Sequence, residues 1–221
     1  LVPYFDHNAT TPLLPAAAEA WAKASADAWQ NPASPHRAGV RVQLRLNAWR
    51  QKMATLAELP PERLAFCRGA TEAAAMIFRH LAVTVAAAGE SAATWAVNPT
   101  EHPAVRDACL ASGARVHWLE VNADGVVTPA AVGRALAAGA RVIVVMAANH
   151  ETGVIQPWPE IARVTREAGA TLVCDATQWL GKLPAGGLGA ADWGFGSAHK
   201  FGGPKGVGLF WMPVGLDRLA A

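Results

Sequence analysis

The chain has 221 residues and a mass of 23.1 kDa, the size of one large domain or one and a half small ones. It is 52% hydrophobic and 16% charged, which excludes a disordered or solvating chain and predicts a substantial core. Nineteen Lys and Arg against 17 Asp and Glu leave a net charge of +2, without the basic excess of a nucleic-acid binder.

Pro15 to Trp29 is rich in helix formers and is closed by Asn31-Pro32. Arg37 to Leu59 places Val42, Leu46, Trp49, Met53 and Leu56 three or four residues apart, the period of an amphipathic helix, which Pro60-Pro61 ends. Leu64 to Cys67 reads as a short strand, and Gly69-Ala70-Thr71-Glu72 turns into an Ala-rich helix reaching about Ala87. A strand (Thr94–Val97), a helix (His102–Ala111) and a strand (Arg115–Val121) follow. Asn122 to Gly125 is a turn, and a helix over Pro129–Ala138 has Pro at its first position. Arg141 to Ala147 is uniformly apolar, as a strand covered on both faces should be. The helix Pro159–Ala168 leads to a second buried strand, Ala170–Asp175. Asp192–Ser197 and Gly206–Met212 are the last strands, and Gly215–Ala221 reads as the start of a helix. Strands separated by helices predict right-handed crossovers and an α/β fold with a mostly parallel sheet sandwiched by helices.

Cys67, Cys109 and Cys174 are few, odd in number and widely spaced. This argues for a reducing compartment and against a disulfide scaffold or a zinc ribbon. The early Asp6 without a basic stretch predicts no signal peptide. No apolar run approaches the ~18 residues of a membrane span. A cytoplasmic, membrane-free protein is expected. The missing initiator Met and the helix begun at Gly215 suggest a domain or fragment of something longer.

In such sheets ligands sit at the carboxyl ends of the strands, and here those ends carry the polar residues. Lys200, between a strand and a glycine loop, would be partly desolvated, which lowers an amine pKa and makes it nucleophilic toward carbonyls. The alternative is a loop lysine in water. Asp175 ends a buried strand, where a carboxylate needs a cationic partner. A pyridinium nitrogen would serve, as would an ion pair or a helix cap. Gln178, three residues on, could reach the same ligand or be a surface amide. Gly69-Ala70-Thr71 between strand and helix would offer backbone N–H groups and a hydroxyl to a phosphate, or simply cap the helix. Ser197 and His199 could donate to that phosphate. His102 opens a helix, where it could stack on an aromatic ring and relay protons, or do neither. One ligand, pyridoxal 5'-phosphate, uses the whole set. A dinucleotide-binding reading lacks its glycine fingerprint after the first strand.

The order of these motifs resembles the cysteine desulfurase group of the class V aminotransferases. The residues that carry it include Tyr4 to Pro12 (YFDHNATTP), Asn31-Pro32-Ala33-Ser34, Gly69 to Glu72, Thr100-Glu101-His102, Asn149 to Gly153, Asp175 to Gln178 and Ser197 to Lys200. Gly203-Pro204-Lys205-Gly206 completes the set. The resemblance implies the large domain of a fold-type I pyridoxal phosphate enzyme, residues 15–221 after an N-terminal segment 1–14, without the C-terminal small domain. It implies that Lys200 holds the cofactor as a Schiff base and takes the substrate α-proton. Asp175 would pair with the ring nitrogen and Gln178 with the ring hydroxyl. His102 would stack on the ring, and the backbone near Ala70 with Thr71, Ser197 and His199 would hold the phosphate. His150 stands where the family has Asn, as a hydrogen-bond donor to the cofactor, and Asn31 would meet substrate. Arg68 stands where a small hydroxyl residue is common. Implied too are L-cysteine (or another amino acid) as substrate, sulfur transfer toward an acceptor protein as in iron–sulfur cluster assembly, and a homodimer. The family's sulfur-accepting cysteine belongs to the region after residue 221, and the three cysteines here read as small buried apolar residues. Another class V activity (aminotransferase, lyase or epimerase) and a non-catalytic fragment stay open beside the desulfurase.

Overall fold

Short runs of apolar, β-branched and aromatic residues give seven strands of four or five residues each, among the described residues, and these form one sheet. The computed structural model describes residues 3–87, 93–216 and 219–220. The strands are β1 (Leu64–Cys67), β2 (Thr94–Val97), β3 (Arg115–Trp118), β4 (Ala140–Val144), β5 (Thr171–Asp175), β6 (Trp193–Ser197) and β7 (Gly208–Trp211). The helices are α1 (Pro15–Asp27), α2 (Arg37–Leu56), α3 (Ala70–Ala87), α4 (Pro103–Ala111), α5 (Pro129–Ala137) and α6 (Trp158–Glu167). None of them is long and apolar enough to cross a membrane, among the described residues.

The strand order is β1-β7-β6-β5-β4-β2-β3. Neighbours are parallel except that β7 runs antiparallel to both β1 and β6, so the expected mostly parallel sheet carries one reversed strand. Side chains alternate between two cores, one per face. Val142 and Val144 of β4 pack with Ile77, Phe78 and Val105 of α3 and α4. Ile143 packs on the opposite face with Val132, Ile161 and Ala162 of α5 and α6. Burial of such side chains stabilises by about 1.5–3 kcal/mol each. At one sheet edge Arg63 replaces apolar packing with hydrogen bonds. Its guanidinium donates to the carbonyls of Met212 (2.7 Å), Gly189 (2.9 Å), Ala191 (2.8 Å) and Asp192 (2.9 Å). That single side chain ties the entry to β1 to the exit of β7 and the approach to β6.

Some elements end before the sequence pattern does. α2 stops at Leu56 because Glu58 takes a left-handed φ of 52°, and Leu59 N–H returns to the Ala54 carbonyl at 2.8 Å. β3 stops at Trp118 because its only neighbour among the described residues, β2, is four residues long. Val121 then leaves to bridge with Val127 around the Asn122–Gly125 turn. β4 stops at Val144, although Val145 and Ala147 still donate to Val173 and Asp175 beside it. α1 stops at Asp27 rather than Trp29. The helix expected from Gly215 is absent at Gly215 and Leu216, while residues 217, 218 and 221 lie outside the described residues.

The register decides what stands at the carboxyl edge. Gly208 of β7 lies level with Cys67 of β1 on one side and Ser197 of β6 on the other. The turn after β1 is thereby brought beside Ser197. One strand further in, Asp175 of β5 is level with Phe195.

Candidate active site

A cavity of about 700 Å³ opens along this carboxyl edge. Its cationic end is built by the turn between β1 and α3. Gly69, Ala70 and Thr71 line it, and the first amides of α3 have no intrahelical partner, as at any helix start. The helix dipole adds partial positive charge there. The structure places Thr71 inside the first turn of α3 rather than at a cap. Ser197, His199 and Lys205 face this end, and a Cβ on Gly69 would lie only 3.3 Å from Ser197 Oγ. Arg68 also lines the cavity, where its charge is offset by the pair it forms with Glu72 (3.3 Å).

The opposite wall is built on β5 and α4. Asp175 is buried at the end of β5, with Oδ1 accepting from Thr177 N–H at 2.8 Å. Among the described residues it forms no ion pair. Burial pushes its carboxyl above the ordinary value, and the hydrogen bond from Thr177 N–H and the nearby His102 pull the other way. Behind it Glu101 is deeply buried. One of its oxygens accepts from Met146 N–H and the other has no partner among the described residues. Burial, and then the neighbouring Asp175 charge, hold the Glu101 carboxyl well above the usual range. His102 caps α4, its Nδ1 accepting from Ala104 N–H at 3.1 Å, so the neutral ring carries its proton on Nε2. Burial lowers its pKa and His150 adds to the effect, the two rings lying 5.1 Å apart. Among the described residues, the ring nitrogen Nδ1 of His150 and the hydroxyl of Thr177 are buried without partners, and both residues line the cavity. Such orphaned polar atoms at a cavity wall are what a polar ligand would satisfy.

Lys200 ends a 3₁₀ turn, Ala198–Lys200, directly after β6. Its Nζ donates to the main-chain carbonyl of Asn8 at 2.7 Å. The Gln178 side-chain nitrogen donates to the same oxygen at 2.9 Å. Burial lowers the Lys200 amine pKa, with Asp175 and Asp6 opposing. The segment that brings Asn8 here is fastened to the lysine loop. Thr11 N–H and hydroxyl both donate to the His199 carbonyl (2.8 and 2.9 Å), Gly202 N–H donates to the Thr11 hydroxyl (2.7 Å), and Leu14 N–H donates to Gly202 O (2.9 Å).

Ala70, Thr71, His102, His150 and Asp175 thus share one cavity with Gln178, Ser197, His199 and Lys200. The structure does not bring Asn31 there. That residue is exposed, and its side-chain oxygen accepts from Ala33 N–H (2.9 Å) in its own turn. Cys109 and Cys174 are buried as expected, but Cys67 is only half-buried. Reading the sequence assigned no part to Asn8, Thr177 or Lys182. Lys182 Nζ donates to the side-chain oxygens of Asn8 (3.2 Å) and Gln178, and its four-residue spacing from Gln178 was the available signal.

An amine and an amide nitrogen that converge on a single oxygen can equally hold a ring hydroxyl beside an imine. With a buried, unpaired carboxylate on one wall and a helix start at the far end, the residues fit a planar ligand that is cationic in its ring and anionic in its tail. The site and the sheet thus define an α/β protein built to hold an aldehyde-bearing aromatic phosphate. A family model described as Aminotransferase class-V matches residues 3–218, and the chain belongs to that family. Its members, cysteine desulfurases among them, depend on pyridoxal 5'-phosphate. Cysteine desulfurase IscS of Anaeromyxobacter dehalogenans is 36% identical over 214 residues, which cover 95% of this chain and 52% of that protein. A cysteine desulfurase of Klebsiella pneumoniae is 37% identical over 218 residues, covering 96% and 53%. Among solved structures, a NifS-like protein superposes with a TM-score of 0.91 at 30% identity, over 98% of this chain and 60% of its own. SspA in complex with cysteine gives 0.88 at 26% identity, over 96% and 61%. The chain spans about half the length of the curated relatives it matches.

Proposed function

We propose that this chain is the cofactor-binding domain, residues 15–221 preceded by the segment 1–14, of a cysteine desulfurase that converts L-cysteine to L-alanine. The carrying observation is the convergence of Lys200 Nζ and Gln178 Nε2 on one oxygen beside the unpaired, buried Asp175. When bound, pyridoxal 5'-phosphate supplies an electron sink for charge that develops at the substrate α-carbon. The residues named here hold it and handle protons. Lys200 provides the covalent attachment and afterwards takes the α-proton at Nζ, for which a lowered amine pKa suits it. Asp175 stays ionised against the ring nitrogen and so keeps that nitrogen protonated. Gln178 and His150 donate to the ring hydroxyl. His102 stacks on the ring and offers Nε2 for proton relay. The α3 N-terminus at Ala70 and Thr71, with Ser197 and His199, binds the phosphate.

Sulfur leaves when a thiolate attacks the substrate sulfur. The C–S bond breaks, an S–S bond forms, and the carbon product takes up protons to become alanine. Cys109 and Cys174 are buried, and burial raises both thiols far above neutrality. Cys67 is also raised by burial. A thiol with a raised pKa makes little of the nucleophilic thiolate, which supports an acceptor cysteine outside residues 1–221. We further propose a homodimer, delivery of sulfur to an acceptor protein, and residence in the cytoplasm, which three cysteines without a disulfide among the described residues support.

The test is colour and its loss. Addition of pyridoxal 5'-phosphate should turn the chain yellow, borohydride should bleach it, and the reduced adduct should map to the peptide containing Lys200. Lys200→Ala should remain colourless. Equal yellow colour, or an adduct on another lysine, would defeat the assignment. Alanine formation from cysteine by residues 1–221 alone, at rates like a full-length relative, would defeat the placement of the sulfur acceptor.

A further inference from the structure

Lys182 lies outside the cavity lining, and the residue set above gives it no task. It is exposed, and an exposed ammonium ordinarily stays hydrated. Instead its Nζ donates to the side-chain oxygens of both Asn8 and Gln178. Among the described residues no carboxylate pairs with it, so an ion pair does not account for its position.

A carboxamide can present either its oxygen or its nitrogen in a given direction. An ammonium has three donors and no acceptor, so only the oxygen of an amide can face it. The reverse orientation would set an NH₂ against an NH₃⁺. With Oε1 of Gln178 committed to Lys182, Nε2 is left on the side of Lys200, where it donates to Asn8 O. The same ammonium holds the oxygen of the Asn8 side chain, whose Nδ2 then donates to the His150 carbonyl at 3.0 Å. Charge-assisted hydrogen bonds are roughly twice as strong as neutral ones, so one cation sets the sense of two amides. The backbone makes the approach possible. Residues 176–183 form successive tight turns, and Gly181, at φ 71°, passes so close to Phe201 that a Cβ there would lie 2.5 Å from the Phe201 Cβ.

We infer that Lys182 is a positioning residue that locks the Gln178 carboxamide with its nitrogen toward the cofactor cavity, so that Gln178 acts only as a donor to the bound ring. This rests on the cofactor assignment above but has a readout that does not need it. In the cofactor-free chain the two Gln178 Nε2 protons should give distinct, exchange-protected resonances. Lys182→Met, which keeps the length of the side chain, should collapse that protection, and Lys182→Arg should restore it. Protection unchanged in Lys182→Met overturns the inference whatever the cofactor does. In the pyridoxal 5'-phosphate-loaded chain, Lys182→Met should shift the visible absorption band and raise the cofactor Kd about three- to ten-fold, the worth of one oriented hydrogen bond. Lys182→Arg should recover most of that loss. In a Gln178→Ala background the same Lys182→Met change should alter Kd less than about two-fold, since the two residues act through one bond. An equal effect in both backgrounds would mean that Lys182 acts without Gln178, and would overturn the proposal. A wild-type chain that takes no colour, with Gln178 protection intact, defeats the cofactor reading and leaves the positioning role standing.

Discussion

Asp175 and Glu101 are two carboxyl groups held close together away from water, with only hydrogen bonds to offset their burial. Both have pKa values raised in the folded chain, chiefly by desolvation. The folded state therefore binds their protons more tightly than the unfolded state does. Stability present below the ordinary carboxylate range is lost as pH rises through the raised values. The melting temperature of the cofactor-free chain should thus fall from mildly acid pH toward neutrality on account of this pair. Glu101→Gln keeps the neutral shape and should flatten the fall; a decline as steep as in the wild type would exclude Glu101 as its source. Asp175→Asn should have the opposite consequence for the ligand. Without the anion facing the ring nitrogen, the pyridoxal 5'-phosphate Kd should rise at least about thirty-fold, in keeping with truncation of one member of a buried charge pair. A titration that finds the two proteins equal would remove Asp175 from the site. Lys200, Asp175 and the Gly69 turn could be read from the sequence because each stands where a strand's apolar run stops. Asn8 could not, because its contacts reach 142 to 192 positions along the chain and only the fold makes them, and Lys182 was marked by no more than its four-residue spacing from Gln178.

At the scale of elements, the reversed strand β7 carries the consequence. Gly208 lies between β1 and β6, and a Cβ there would sit 2.5 Å from Gly69 Cα and 2.9 Å from the Gly196 carbonyl. Both are backbone atoms, with no flexible side chain to yield. Gly208→Ala should therefore push the Gly69 turn out of place and weaken phosphate-dependent cofactor binding more than it lowers the melting temperature. Gly194→Ala provides the contrast. Its Cβ would sit 2.0 Å from the ring of Trp211, which is fully buried in the core. Overpacking of this kind costs about 1–3 kcal/mol, and the melting temperature should drop by roughly 3–10 °C in a calorimetric scan. A Gly194→Ala chain as stable as the wild type would mean that Trp211 has room to move. The order of helices and strands was legible from periodicity and turn residues. The direction of β7 was not, because a buried four-residue strand looks the same read either way.

At the scale of the whole molecule, the apolar surface is uneven. α1 buries none of its residues, and Trp21 (56%), Trp29 (75%) and Leu44 (63%) are largely exposed on α1, after it and on α2. Exposed apolar side chains of this size on α1 and α2 are ones that the proposed homodimer would cover. Sedimentation over a rising concentration series should show species heavier than the 23.1 kDa monomer. A single monomer throughout, in a chain that also binds cofactor, would separate cofactor binding from pairing. Nine Trp residues in the sequence fit large interfaces between subunits, but which of them lie at the surface, as Trp21 and Trp29 do, is set by the fold.

The fastening of Asn8 and Thr11 onto the loop of His199 and Lys200 joins positions nearly two hundred residues apart. A ribosome making this protein delivers Asn8 and Thr11 well before His199 and Lys200, with strands β1 to β6 made in between. A nascent or prematurely terminated chain that lacks the lysine loop cannot close the clasp, however well its earlier helices have formed. Closure of the clasp is therefore an event that waits for the lysine loop, and it reports chains in which the segment of Asn8 has met the loop of Lys200.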